Sequence, residues 1–351
     1  MRLEKRIEAF SELGSFLAQF SEDKVEMNNL VKGNDSFFDD FSDQIKNAQH
    51  YNGWFTEENM RFSFENWGKL LTKENLENWL SSYQFDQNKE KNVAVITAGN
   101  IPLVGFHDFL SVLISGHKIT IKQSSNDSQL LPLIAKYLEF VAPEFKGKIN
   151  FTQDRIKSFD AVIATGSNNT ARYFDYYFGK YPNIIRKNRN SIAILRGDET
   201  KEDLKGLGED IFRYFGLGCR SVSKLFVPKN YNFDPLFREI LPYSYLMEYK
   251  KYENNYTYNK AVYLMSKFQL LENGFLMLKE DAGYSSPIAS LFYENYEDLN
   301  DLQQRLDAEK DKIQCVVGKG QIGEIPFGKT QTPSLNDYAD GLDTLLFLSN
   351  L

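Results

Sequence analysis

The sequence predicts an α/β protein built from two open, Rossmann-like domains behind an N-terminal helical segment. Three observations carry that prediction. The chain has 351 residues, the length of about two ordinary domains. Beyond residue 90, short β-branched runs that end near glycine alternate with amphipathic stretches, the pattern of parallel βαβ units. Before residue 91 only helical spacing occurs.

In IEAFSELGSFLAQF and ENLENWLSSY, apolar residues recur at the helical period, with polar loops such as KGND between segments. Residues 1–90 therefore read as a helical segment packed on the next domain. NVAVITAG is a strand, NIPLVGFHDFLSVLISG an amphipathic helix opened by Asn-Ile-Pro, and HKITIKQSS a second strand. NDSQLLPLIAKYLEFVAP adds a helix capped by Asn126, Asp127 or Ser128, and KINFTQD a further strand. In FDAVIATGSNNTARYFDYYF the strand VIAT meets a turn at Gly166, and a helix starts at Ser167 or Asn168. Residues 91–190 thus form a cofactor-binding α/β domain.

A second α/β domain spans residues 191–320 and carries Cys219. It opens with the strand in SIAILRGDET and a helix over DETKEDLKGLGEDIFRYF, whose early acidic residues suit the helix dipole. SKLFVP and PIASLFYE follow as strands and YEDLNDLQQRLDAEKDK as a helix; residues 230–278, rich in Tyr, Asn and Lys, carry no clear period. Residues 321–351 read as a segment returning to the cofactor domain.

Composition limits the function. Hydrophobic residues make up 42% and charged residues 25%, a globular balance, and aromatics reach 15%. The net charge of −7 argues against a nucleic-acid partner. No stretch approaches the roughly 18 apolar residues of a membrane span, and the charged N-terminus reads as an amphipathic helix, not as a signal peptide. Cys219 and Cys315 cannot build a disulfide framework or a structural zinc site, and His50, His107 and His117 lack metal-ligand spacing. The expectation is a reduced, cytoplasmic, metal-free protein.

Four stretches are chemically suggestive. In ATGSNNTAR a strand ending in Gly166-Ser167 feeds a helix, whose free N–H groups and positive dipole end suit a phosphate; many strand–helix turns look the same. In TAGNIP, Asn100 follows a strand end where open α/β sheets bind ligands, and its amide could donate to a developing oxyanion; a helix N-cap is the commoner use of Asn before Pro102. Lys122 ends a strand on the same edge, where it reaches a ribose or phosphate, or water alone. Arg186, Lys187 and Arg189 form a basic cluster, either solvated or set against a polyanionic tail. In FGLGCRSVSKLFVP, Gly216 and Gly218 leave the backbone bare beside Cys219, and Arg220 and Lys224 could favour its thiolate. Taken alone, Cys219 and Cys315 both read as packed, inert thiols.

The order of these stretches changes the reading. Asn-Ile-Pro, a strand-end lysine, strand–Gly-Ser–helix and a lone Cys after a Gly-rich turn together resemble the aldehyde dehydrogenase superfamily. FGLGCRSVSKLFVP, RNSIAIL, IPFGKTQTP and DYADGLDT are similar to the bacterial fatty acyl-CoA reductases of the LuxC type, over about residues 90–351. The resemblance implies an aldehyde-dehydrogenase-like fold. It makes Cys219 the nucleophile, Asn100 the oxyanion donor, Lys122 the ribose-binding lysine and Gly166 with Ser167 the pair facing the pyrophosphate. Lys224 matches a basic residue five places after the nucleophile.

Two departures from the superfamily pattern are informative. The water-activating glutamate of hydrolytic members has no counterpart, since no carboxylate occurs from Pro182 to Leu195. Ser125 stands where a ribose-binding carboxylate would repel a 2′-phosphate, which is compatible with NADPH. The implied activity is NADPH-dependent reduction of a long-chain acyl-CoA, or acyl-carrier thioester, to the aldehyde through an acyl-cysteine, in an enzyme that is at least a dimer. Alternatives are reduction of a short acyl-CoA or acyl phosphate, and a non-catalytic acyl- or nucleotide-binding scaffold.

Overall fold

A computed structural model describes residues 1–85, 89–320 and 323–351. The chain divides into two units, Met1–Lys187 with Ser334–Leu351, and Asn188–Pro333. The expected division at 320/321 abuts residues 321 and 322, which lie outside the described residues; the stretch 323–333 belongs to the second unit.

The first unit is built on a parallel sheet of β1 (Asn92–Ile96), β2 (Lys118–Lys122), β3 (Ile149–Thr152), β4 (Ala161–Thr165) and β5 (Asn183–Arg186). Their order is β3-β2-β1-β4-β5. The central β1 shows why the pattern works: Val93, Ala94 and Val95 are all buried, as a strand covered on both faces requires. Among the described residues four helices precede the sheet: α1 (Leu3–Leu17), α2 (Asn34–Tyr51), α3 (Glu57–Leu70) and α4 (Lys73–Leu80). Helices α5 (Phe106–Ile114), α6 (Leu130–Val141) and α7 (Asn168–Phe178) link the strands. Phe16 of α1 meets Phe41 of α2 at 4.9 Å and Tyr137 of α6 at 4.4 Å between ring centroids, so the N-terminal helices share the core of this unit.

The second unit holds β6 (Asn190–Ile194), β7 (Val222–Pro228), β8 (Leu270–Glu272), β9 (Met277–Glu280), β10 (Ser290–Tyr296) and β11 (Ile313–Val317), ordered β11-β6-β7-β10-β9-β8. All pairs are parallel except β8 with β9. Its helices are α8 (Lys201–Phe212), α9 (Asp234–Glu239), α10 (Lys250–Met265) and α11 (Leu299–Ala308). Thr200 and Asp203 cap α8 reciprocally, each side chain taking the other's backbone N–H.

The last helix, α12 (Thr344–Ser349), belongs to the first unit, where two histidines hold the returning chain. His107 Nε2 lies 3.0 Å from the carbonyl of Leu335 and His117 Nε2 3.0 Å from that of Leu348. Burial pushes both imidazoles below their ordinary pKa. These are neutral packing groups, and the second unit contains no histidine at all.

Candidate active site

In the first unit, the switch in strand order lies between β1 and β4, where an open α/β sheet binds ligands beyond its carboxyl edge. The parallel register sets Ile96 beside Lys122 on one side and beside Ala164 on the other. Lys122, the loop carrying Asn100 and the Gly166–Ser167 turn therefore leave the same edge. Asn100 is not the cap of the following helix: α5 begins only at Phe106, behind Gly105, so residues 97–105 form a loop. Asn100 sits in it half-buried.

The N-terminal helices brace that loop. Asn52 donates to the carbonyls of Gly99 (3.4 Å) and Asn126 (3.2 Å), and Ser63 to that of Pro102 (3.3 Å). None of the three residues expected to cap α6 stands at its N-cap, which is Gln129 with no side-chain cap bond; the Asp127 carboxyl takes backbone hydrogen bonds from Leu130, Leu103 and Gln129, and burial lifts its pKa to about 6. Ser125, two residues earlier, is exposed in the turn after β2.

Ser167 is the N-cap of α7, accepting from the Thr170 N–H at 3.3 Å. Its hydroxyl is therefore occupied locally, and the remaining first-turn N–H groups of α7 have no intrahelical acceptor at this strand end.

The basic cluster divides. Arg186 is a core residue, donating from Nη1 to Asp108 at 2.6 Å and from Nη2 to Thr344 at 2.9 Å, so it ties β5 to α5 and α12 rather than meeting a ligand. Arg189 lies 3.4 Å from the carbonyls of Lys310 and Ile313. Lys187 is exposed.

In the second unit, Cys219 is exposed, whereas Cys315 is buried in β11. The chain leaves α8 through Tyr214, Phe215 and Gly216, all left-handed at φ +55°, +58° and +75°. It then turns at Gly218–Ser221, closed by the Ser221 N–H to the Gly218 carbonyl at 2.9 Å, and enters β7. Two bulky residues in the left-handed region cost of order 1–3 kcal/mol each. Packing holds them there: both are buried, and the Phe215 ring meets Tyr249 edge-on at 5.1 Å. Ser191, on the neighbouring β6, donates to the Cys219 carbonyl at 2.9 Å.

Of the two nearby cations, Lys224 is not left to support the thiol. Lys224 is wholly buried, with Nζ 2.7 Å from Glu294 and 3.0 Å from the carbonyl of Asp281. Burial lowers its pKa, and its charge belongs to the core network of Glu294 and Arg305. Arg220 donates from Nε to the Thr330 carbonyl at 2.5 Å. Among the described residues no cluster of three or more His, Cys, Asp or Glu side chains is set to hold a metal ion, and no helix is long and apolar enough to cross a membrane. Sequence reasoning missed Ser191, Asp210, Thr330 and Gln331; the signals were the family-like stretches RNSIAIL, which holds Ser191, and IPFGKTQTP, which holds Thr330 and Gln331, and both came without a role.

Two such α/β units, one with the strand order of a dinucleotide-binding sheet and the other presenting an exposed cysteine, define an aldehyde-dehydrogenase-like protein. Solved structures agree on the fold. The chain is similar to aldehyde dehydrogenase 21 from Physcomitrella patens, a complex with the reaction product succinate, at 10% identity and TM-score 0.71, covering 100% of this chain and 84% of that one. It is also similar to the aldehyde dehydrogenase from Bacillus cereus in its NAD+ complex (13%, TM-score 0.61, 92% and 72% covered). A third is the NAD-dependent enzyme from Sinorhizobium meliloti (11%, TM-score 0.64, 94% and 72% covered). No curated protein matches the sequence. The chain belongs to the acyl-CoA reductase (LuxC) family, whose profile matches residues 40–240. It is thus an enzyme of the reductase or dehydrogenase type acting on acyl or aldehyde groups.

Proposed function

We propose that the chain reduces a long-chain acyl thioester, acyl-CoA or an acyl carrier, to the fatty aldehyde with NADPH, through an acyl-cysteine at Cys219. The observation that carries this reading is the exposed Cys219 in a tight turn before β7, in a chain of the acyl-CoA reductase family. The thiolate attacks the thioester carbonyl, the CoA thiol leaves, and the acyl group rests on sulfur. The Cys219 N–H is one donor for the oxyanion, and the family resemblance gives Asn100 as the second. The lack of any carboxylate from Pro182 to Leu195 supports reduction over hydrolysis, since no general base in that stretch activates water against the thioester.

The residues fit a nicotinamide dinucleotide. Strand order, the α7 N-terminus after Gly166-Ser167 and Lys122 at the adjacent strand end form a suitable donor set for a pyrophosphate and ribose. Bound reduced nicotinamide supplies the hydride that takes the acyl group to the aldehyde level. Preference for NADPH rests on Ser125, exposed where a carboxylate would repel a 2′-phosphate, and on Asp127, whose carboxyl is engaged by backbone amides. Assembly as a homodimer or larger follows the same resemblance.

The test is intact-mass spectrometry after mixing with a long-chain acyl-CoA. An acyl adduct on Cys219 that vanishes on adding NADPH is expected. Full acyl-CoA-dependent NADPH oxidation by Cys219→Ala would reject the mechanism, and a flat chain-length series would reject the long-chain substrate.

A further inference from the structure

The closing stretch IPFGKTQTP takes no part in the chemistry above, yet it is bonded to the turn that carries Cys219. Two consecutive residues of the stretch hold the two residues after the nucleophile. The Thr330 carbonyl accepts from Arg220 Nε at 2.5 Å, and Gln331 donates from Nε2 to Ser221 Oγ at 3.2 Å. Ser221 and Gln331 are both buried.

The stretch is itself anchored. Asp210, fully buried on α8, accepts from the Gly328 N–H at 2.7 Å, the Thr330 N–H at 3.0 Å and the Thr330 hydroxyl at 2.8 Å. The backbones meet closely: a Cβ at Gly206 of α8 would lie 2.9 Å from the Phe327 carbonyl carbon. A rigid helix therefore fixes the loop, and the loop fixes the turn.

We propose that residues 328–331 form a positioning clamp for the nucleophile, in which Gln331 and the Thr330 carbonyl lock residues 220 and 221 so that the Cys219 thiol and N–H are presented in one orientation. The proposal rests on the assignment of Cys219 as the nucleophile. An exposed turn closed by one backbone hydrogen bond samples several conformers, and attack on a carbonyl uses only those with the sulfur aligned. Gln331 is a positioning residue, acting through Ser221 and not on the substrate.

The test compares wild type with Gln331→Met, which keeps the volume and removes the amide, with Ser221→Ala, and with the double variant. The first readout is the second-order rate of Cys219 alkylation by iodoacetamide, located by peptide mass, with urea midpoints recorded to separate folding from reactivity. Each single variant is expected to slow alkylation about tenfold, and the double variant to be no slower than either single, because both remove one hydrogen bond. The second readout is turnover of long-chain acyl-CoA with NADPH, where kcat falls and KM holds.

Wild-type alkylation rates in both single variants, or strictly additive losses in the double, overturn the clamp. If Gln331→Met does not fold, Ser221→Ala with wild-type reactivity and kcat overturns it alone. Alkylation needs no acyl substrate, so a wild type that turns over no acyl-CoA while the variants alkylate slowly rejects the proposed function and supports the clamp.

Discussion

At the scale of single residues, the approach to Cys219 is held in a conformation that the side chains do not choose. Tyr214 and Phe215 adopt left-handed φ because burial and the Tyr249 contact outweigh the steric cost, and Gly216 completes the run. A Cβ at Gly216 would add strain at φ +75° and sit 3.2 Å from the Ile211 carbonyl oxygen. Gly216→Ala is therefore expected to cost about 1–2 kcal/mol, measured by urea unfolding. An unchanged midpoint would mean that the segment relaxes. The glycines and the lone cysteine were legible in the sequence because they are local. The fates of Arg220 and Lys224 were not, because their partners lie 110 and 70 residues away. Proximity in sequence suggested thiolate support, whereas the fold pairs Lys224 with Glu294 and sets Arg220 Nε on the Thr330 carbonyl.

At the scale of elements, β5 corrects the reading of the basic cluster. NIIR is a strand, and alternation turns Arg186 inward beside buried Ile184. Its guanidinium pairs with Asp108 in a site where both side chains are less than a tenth exposed. Removing one partner of a buried pair strands the other, so Arg186→Met is expected to cost about 3–5 kcal/mol. A phosphate-binding arginine would instead raise KM for acyl-CoA or NADPH with little change in stability; thermal melts and KM values together decide. Helix α10 was illegible for a related reason. Its buried positions are Tyr252, Tyr256, Asn259 and Tyr263, at the helical period, but Tyr258 on the same helix is exposed. Tyrosine carries both a ring to bury and a hydroxyl to expose, so composition cannot say which face is which. By contrast, the strands NVAVI and AVIAT are apolar on both faces, and their pattern alone located the first sheet.

At the scale of the whole molecule, burial of carboxyl groups sets a pH dependence. Asp127 in the first unit and Asp210 in the second are each lifted to about 6 from 3.8, in both cases chiefly by desolvation. The folded chain therefore keeps these protons at pH values where the unfolded chain has lost them. Their contribution to stability is full below about pH 4 and is lost as pH rises through 6. Glu309 acts the opposite way: hydrogen bonds from Lys312, Tyr284 and Arg305 hold it at about 2, so its contribution is present above 4.5 and lost on acidification through 2. Between pH 7 and pH 5 the two aspartates favour greater stability on acidification, of roughly 1 kcal/mol for the fully buried Asp210. Asp210→Asn separates this titration from the hydrogen bonds. The amide cannot accept from Gly328, Thr330 N–H and Thr330 hydroxyl as the carboxylate does, so stability falls by about 1–3 kcal/mol at pH 7, where Asp210 is ionised. With no proton to bind at position 210, the variant also loses about half of the gain between pH 7 and pH 5, the share of Asp127 remaining. Urea midpoints at both pH values test the two effects, with the intact Asp127 as the internal reference. A variant that keeps the full wild-type gain would show that Asp210 does not carry it.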